Sequence, residues 1–223
     1  MKYVVICLCA LATFLGIGAA AHAQSNEISY SYVEATYQFV DGSTSGSTIS
    51  DLEGDGPALA ASLKLGNHFH IFGDYEKIKL DNATIDDGSG TPVTVSFSDL
   101  DTWSVGAGVH TSVFGGRSDG QYRNAQDRYS IFAEAEYISA DPGSTDGWGA
   151  QAGFRAVNFT NWEMLAAAGI ENLSGIDSEF TLEGRLLYRI VGDLQVEGGI
   201  DWNDNLTRYF IGLRYNFPGF NFW

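Results

Sequence analysis

The sequence has 223 residues, enough for a single domain, and its formal net charge of −16 argues against nucleic acid as a partner. After the first 23 residues, no stretch approaches the roughly 18 consecutive apolar residues that a membrane helix needs. Any membrane crossing would therefore have to use strands.

The beginning of the chain has the features of a secretory signal peptide. Lys2 precedes an apolar core from Tyr3 to Ala21, and Ala21-His22-Ala23 fits the small-x-small pattern of a cleavage site. We therefore predict a signal peptide over residues 1–23 and one mature domain over residues 24–223.

Both cysteines, Cys7 and Cys9, lie in the predicted signal peptide. Disulfides, thiol chemistry and cysteine metal sites are therefore not expected in the mature domain, and no cofactor or metal is predicted. Loss of Lys2 reduces the 12 basic side chains to 11, against 28 acidic ones, so the mature formal charge is −17.

From Glu27 to Phe217 the chain alternates apolar or aromatic residues with polar, charged or glycine residues, in runs of about ten. This period of two is typical of strands with one apolar and one polar face. In chain order, the predicted apolar faces contain Ser31, Val33, Ala35, Tyr37 and Phe39; Leu59, Ala61, Leu63 and Leu65; Phe69, Ile71, Gly73 and Tyr75; Trp103, Val105, Ala107 and Val109; Tyr129, Ile131, Ala133, Ala135 and Tyr137; Trp148, Ala150, Ala152 and Phe154; Trp162, Met164, Ala166, Ala168 and Ile170; Phe180, Leu182, Leu186, Tyr188 and Ile190; Val196, Ile200 and Trp202; and Tyr209, Ile211, Leu213, Tyr215 and Phe217.

These runs predict an all-β fold, a closed antiparallel up-and-down transmembrane β-barrel of about ten strands. Residues 41–56 and 81–98 are long, acidic and rich in glycine or serine, as expected of outer loops, whereas residues 66–68, 157–161 and 191–194 are short. Residues 112–127 are too long for an inner turn in a ten-strand count, so eight strands in another register remain the alternative.

The polar faces carry ionisable groups of both signs, which a small lumen can hold as ion pairs. A soluble barrel with its apolar face turned inward would show the same alternation and is the competing fold. Charge of both signs on the polar faces, and aromatic residues towards strand ends, favour the membrane barrel. The predicted lumen charge network consists of Glu34, Lys64, Glu76, Glu134, Glu136, Arg155, Glu183, Arg185, Arg189, Glu197 and Arg214.

The last predicted strand has the spacing Gly-x-x-Tyr-x-Phe at Gly212, Tyr215 and Phe217. This spacing resembles the C-terminal signal by which the outer-membrane assembly machinery recognises its substrates, and the mature chain resembles small outer-membrane β-barrel proteins of the OmpA/OmpX-like kind. The resemblance implies a monomer in the outer membrane of a Gram-negative bacterium. The partners it implies are outer-membrane lipid or lipopolysaccharide and, during biogenesis, the assembly machinery and periplasmic chaperones.

One departure from this family follows the last strand, where Pro218 begins a further aromatic segment to Trp223. Proline cannot donate to a strand ladder. We expect Phe217 to close the barrel; a shifted register past a bulge is the alternative.

Two short motifs resemble functional sites. His110-Thr111-Ser112 resembles the His-x-Ser of outer-membrane phospholipase, but no orienting Asn or acid is identifiable. The segment from Asp51 to Gly56 resembles the first half of a calcium loop, but Ser62 stands where a bidentate Glu is required. Neither a catalytic nor a metal site is predicted.

The expected function is therefore a non-enzymatic one, a structural or surface-interaction role through acidic extracellular loops. The alternatives are a narrow channel that transports a small solute through the charged lumen and a secreted soluble barrel.

Overall fold

The structure is a computed structural model that describes residues 28–42, 52–81, 83–85, 93–95, 98–113, 128–141, 145–158, 161–175 and 178–219. None of these segments forms a helix that could span a membrane. In chain order the strands are β1 Tyr32–Gly42, β2 Leu52–Leu65, β3 Phe69–Leu80, β4 Ala83–Ile85, β5 Val93–Val95, β6 Leu100–His110, β7 Arg128–Asp141, β8 Thr145–Asn158, β9 Trp162–Leu173, β10 Glu179–Val191, β11 Leu194–Asn203 and β12 Leu206–Asn216.

Ten of these strands form one closed antiparallel barrel, in which each strand pairs with its neighbours in chain order. The short strands β4 and β5 form a separate hairpin between β3 and β6, so β3 pairs directly with β6. The ring closes where β1 pairs with β12, from Tyr32 opposite Asn216 to Gly42 opposite Leu206. The predicted ten-stranded barrel is confirmed, and the eight-stranded alternative is wrong.

The second strand begins earlier than the sequence pattern indicated. Glu53 to Gly56 were expected in a loop over residues 41–56, but they pair with Gln38 to Asp41 of β1. The calcium-loop resemblance fails for the same reason, because an extended strand cannot wrap its carboxylates around one ion.

The two ends of the barrel differ. The terminal end contains Ile28–Ser31 and Phe217, whereas the loop end contains the connections after β1 and β3. At the terminal end, β2 and β3 are joined through Gly66 and β10 and β11 through Gly192, whose φ angles of 69° and 55° suit glycine in tight turns. The long connection 111–127 also starts at the terminal end; beyond residue 113 it lies outside the described residues.

The outer surface of the barrel is apolar. Most large hydrophobic side chains of the described strands are exposed there, and the polar side chains alternate with them on the inside, as expected from the period of two. Aromatic side chains lie on this surface towards both ends, including Tyr37, Phe39, Tyr75, Trp103, Tyr137, Trp148, Phe180, Trp202 and Tyr209 towards the loop end and Phe69, Tyr129, Trp162 and Tyr188 towards the terminal end.

Candidate functional site

The terminal end of the lumen is filled by the segment that precedes β1, which we call the terminal plug (Ile28–Ser31). Ile28 and Tyr30 are buried against Phe132 and Val157 in a small apolar cluster. The Tyr30 ring stacks on His110 with 3.9 Å between ring centroids, and its hydroxyl donates to Ser130 Oγ at 3.1 Å. The lumen is therefore blocked here by side chains.

Hydrogen bonds between serine hydroxyls and backbone groups fix the terminal plug to the barrel wall. Ser62 Oγ donates to the Tyr30 carbonyl at 2.8 Å, and the Lys64 N–H donates to Ser31 Oγ at 3.0 Å. Ser31, which the sequence pattern placed on the outer face, is only 1% exposed. That assignment is wrong because the chain leaves the strand period at this point and turns into the lumen.

An arginine next to the terminal plug makes a buried ion pair. Arg155 donates through Nε to Glu163 Oε1 at 2.8 Å, and both side chains are 3% exposed. Arg155 also donates to the Ser29 carbonyl at 2.6 Å, and its guanidinium lies 4.8 Å from the centre of the Tyr30 ring. The same arginine therefore neutralises Glu163 and holds the terminal plug.

Above the terminal plug, four strands contribute a cluster of charges that we call the arginine layer: Glu34, Glu183, Arg185, Glu197 and Arg214. Glu34 accepts from Arg214 at 2.8 and 2.5 Å and from Arg185 at 2.7 Å. Arg185 also pairs with Glu183, and Arg214 approaches Glu197 at 3.3 Å. Three carboxylates and two guanidinium groups thus share one buried network.

A second cluster of polar side chains lies across the lumen from the arginine layer, between the terminal plug and the loop end. Glu134 accepts from Gln151 at 2.7 Å and contacts His70 Nε2 at 2.8 Å. The His70 ring lies 5.0 Å from Tyr30, centroid to centroid. This group therefore continues the polar packing from the terminal plug up the wall.

The upper lumen, towards the loop end, is more acidic, and we call it the acidic vestibule. Its only ion pair among the described residues joins Arg208 to Glu76 at 3.4 Å. Ser104 Oγ donates to Asp74. The carboxylates of the acidic vestibule are Asp74, Glu76, Glu136, Glu171, Glu179 and Asp201.

A cavity of about 480 Å³ connects these features, from Tyr30 at the terminal plug to Glu179 and Leu206 at the loop end. Its wall carries nine carboxylates and four guanidinium groups, an acidic surplus of five. The cavity falls within the range of about 300–1,000 Å³ that is typical of small-molecule sites.

The structure places the predicted lumen residues at different heights. Glu34, Glu183, Arg185, Glu197 and Arg214 meet in the arginine layer, whereas Arg155, Glu134 and Glu76 pair elsewhere. Glu136 lies in the acidic vestibule. Lys64 and Arg189 lie at the terminal ends of β2 and β10, away from the arginine layer.

The residues proposed as an assembly signal lie at the β1–β12 seam. Gly212 faces Thr36 in the middle of the pairing, and Tyr215 faces Val33. The Phe217 N–H donates to the Ser31 carbonyl at 3.0 Å, and the pairing of β1 with β12 contains no bulge. The barrel therefore closes at Phe217 without a register shift. The role of Gly212, Tyr215 and Phe217 as an assembly signal stays a prediction.

His110 does not face a serine nucleophile among the described residues. Its ring is buried against Tyr30, its Nδ1 lies 3.1 Å from the Thr111 carbonyl, and Ser112 is exposed. The geometry gives His110 a packing contact in place of the His-x-Ser arrangement.

Sequence reasoning missed the terminal plug, and the predicted lumen charge network left out the partners Glu163, His70 and Arg208. One signal was available for the plug: Ile28, Tyr30 and Tyr32 are apolar at even positions, whereas the outward residues of β1 are odd. Alternation places these three residues on polar strand faces, but it does not tell which charges meet inside the barrel, because some partners are 64 residues apart, as His70 and Glu134 are, and others only 8, as Arg155 and Glu163 are.

No protein-family model and no curated protein matches the sequence. Solved structures of outer-membrane β-barrels do match the fold. The transport unit of the autotransporter AIDA-I from Escherichia coli has a TM-score of 0.50 and 12% identity, covering 93% of this chain and 97% of that chain. The KdgM porin in complex with disordered oligogalacturonate has a TM-score of 0.47 and 10% identity, covering 84% and 99%. Neisserial surface protein A has a TM-score of 0.39 and 14% identity, covering 83% and 96%. Similarity at this level concerns the fold alone.

Proposed function

We propose that this chain is an integral outer-membrane barrel with a structural or surface-interaction role, that it is not an enzyme, and that its lumen does not conduct. The single observation that carries the proposal is the combination of an apolar outer surface with a lumen blocked at one end. Large apolar side chains cover the outside of the barrel, whereas Tyr30 and Arg155 close the inside.

The apolar outside supports a lipid environment. A soluble barrel would place these side chains in its interior, because exposing them to water costs about 25 cal/mol per Å² of apolar surface. Trp103, Trp148 and Trp202 lie on the outside towards the loop end, a position typical of tryptophans at membrane interfaces. The predicted signal peptide adds a route of export.

The blocked inside supports a non-conducting barrel. Water-filled channels are found in barrels of about 16 strands, and small barrels fill their interior with side chains. Here the terminal plug closes one end of the lumen, and the arginine layer narrows it above the plug. The loop end then remains the surface through which the protein meets other molecules, and its acidic character favours cationic partners.

Planar-bilayer recording tests this proposal. The folded protein should show no stable open steps at moderate voltage, because the terminal plug closes one end of the lumen. Steady unit steps would contradict the proposal, and their cation selectivity should then fall when Glu134→Gln is combined with Glu136→Gln. They would favour the narrow channel, whose supporting observation is the continuous acidic cavity. The matched control combines Asp41→Asn with Glu53→Gln, which removes the same charge from exposed positions on β1 and β2.

A further inference from the structure

Like charges lie directly opposite one another in the acidic vestibule and where it borders the arginine layer. Glu171 of β9 is the register partner of Glu179 of β10, and Glu183 of β10 is the partner of Asp201 of β11. Like charges opposite each other on one face of a sheet are destabilising. The barrel therefore holds an arrangement that an added positive charge would relieve.

A glycine extends the first of these acidic rows by one strand. Gly149 of β8 is the register partner of both Glu136 and Glu171. A Cβ atom at Gly149 would lie 2.9 Å from Glu136 Oε1, so the Glu136 carboxylate already lies over this glycine. Glu136, Glu171 and Glu179 thus form one acidic row on the inner wall, without a basic side chain between them.

Basic groups of the protein offset this row only in part, since Arg208 interacts electrostatically with Glu171 but forms no ion pair with it. Arg185 and Arg214 are engaged with Glu34 in the arginine layer, and Arg155 is engaged with Glu163 beside the terminal plug. Within the acidic vestibule, Arg208 is paired with Glu76. Among the described residues, no lysine or arginine forms an ion pair with Glu136, Glu171 or Asp201.

A buried amide independently points to a ligand that donates hydrogen bonds. Gln38 lines the cavity and is 8% exposed, yet its Oε1 accepts no hydrogen bond from the part of the chain that the structure describes. Asp201 Oδ1 in the same cavity is likewise buried without a donor. Buried acceptors are nearly always satisfied in folded proteins, so these two acceptors favour a donor from outside the chain.

The arrangement of the carboxylates favours an extended organic cation over a single metal ion. The described residues contain no group of three or more acidic or histidine side chains close enough to hold one metal ion. The carboxylates instead follow one another from strand to strand around the wall, and the same cavity is lined by the apolar side chains of Phe72, Leu100 and Ile138. This pattern suits several ammonium groups separated by methylene segments.

We propose that the acidic vestibule binds a linear aliphatic polyamine, which enters from the loop end because the terminal plug blocks the other end. Its ammonium groups donate to the row of Glu136, Glu171 and Glu179 and to Gln38 Oε1 and Asp201, while its methylene segments contact the apolar wall. This inference deepens the proposed function. It rests on the proposed function only because it takes the loop end as the face outside the cell.

Isothermal titration of the mature protein in detergent micelles with spermidine tests the inference. We expect saturable binding that weakens at least tenfold when Glu136→Gln and Glu171→Gln are combined, and several-fold in Gln38→Met. The matched control combines Asp41→Asn with Asp141→Asn, which removes the same charge from exposed positions at the loop end and should change the affinity less than twofold. Magnesium at equal ionic strength should displace spermidine poorly.

Equal weakening by the control pair would overturn the inference, because the effect would then be general charge screening. Unchanged binding in the lumen pair, or full displacement by magnesium, would overturn it too. A gel-mobility comparison of unheated and boiled samples shows that each variant is folded; if the lumen pair does not fold, Asp201→Asn replaces it with the same expectation. Open steps in planar bilayers would refute the closed barrel without altering the titration, so the two proposals fail separately.

Discussion

At the scale of single residues, the lumen is organised by arginines that each serve more than one partner. Arg155 joins Glu163 to the carbonyl of Ser29, and Arg214 joins Glu34 to Glu197. Removing one member of a buried ion pair leaves an unpaired charge in a poorly solvated place, which costs more than the pair itself contributes. The stability of the barrel should therefore respond more strongly to a single change than to a matched double change.

The Arg155–Glu163 pair tests this expectation. Arg155→Met should lower the free energy of unfolding by about 3–5 kcal/mol, because it leaves the Glu163 carboxylate buried without its cation. Combining it with Glu163→Gln should recover a large part of the loss. The measurement is denaturant unfolding in micelles for both single variants and the double variant.

The exposed ion pair at the loop end is the control for this cycle. Lys77 lies 3.0 Å from Asp101, but the side chains are 44% and 39% exposed. Lys77→Met should change the stability by no more than about 1 kcal/mol, since solvent screens exposed pairs. A loss as large as that of Arg155→Met would show that burial is not what distinguishes the two pairs.

At the scale of elements, the barrel depends on the seam between its first and last strands. A Cβ atom at Gly212 of β12 would lie 2.4 Å from the Ala35 carbonyl oxygen of β1, and backbone cannot move aside as a flexible side chain can. Gly198 of β11 offers a matched position, because the nearest atom to its Cβ would be the Phe210 carbonyl oxygen at 3.5 Å. Gly212 therefore has a packing requirement besides any part in an assembly signal.

Refolding into micelles separates these two roles of Gly212. Gly212→Ala should destabilise the refolded barrel by about 1–3 kcal/mol through overpacking, whereas Gly198→Ala should have little effect. Tyr215→Ala with Phe217→Ala should refold in micelles but assemble poorly in cells, if the last strand acts as a signal. Normal stability of Gly212→Ala would mean that the seam tolerates the extra atom.

The sequence predicts most of the strands and which of their side chains point outward, but it does not predict which side chains meet inside the barrel. Alternation such as Tyr209, Ile211 and Leu213 identifies the outer face of β12 without further information, since every second side chain must share it. The partner of Arg214 cannot be found this way, because Glu34 lies 180 residues away and meets it only once the ring closes. The early start of β2 was missed because its glycines and acids at Glu53 to Gly56 are typical of loops.

At the scale of the whole molecule, the chain is a barrel with an apolar outside, a blocked terminal end and an acidic opening at the loop end. The apolar outer surface favours a lipid environment, because most large hydrophobic side chains lie on it and few remain for an interior core. The blocked end and the acidic opening then decide what the barrel exchanges with its surroundings. The proposed function depends on hydrocarbon covering the outside.

Quenching of tryptophan fluorescence by brominated lipids tests that dependence most directly. Trp103, Trp148, Trp162 and Trp202 all lie on the outer surface, between 39% and 48% exposed, so protein carrying Trp223→Phe reports on the outside alone. In bilayers with bromine near the interface, we expect strong quenching, and weaker quenching with bromine at the bilayer centre. Unquenched fluorescence at every bromine depth, from protein that stays folded and monodisperse without detergent, would contradict the account.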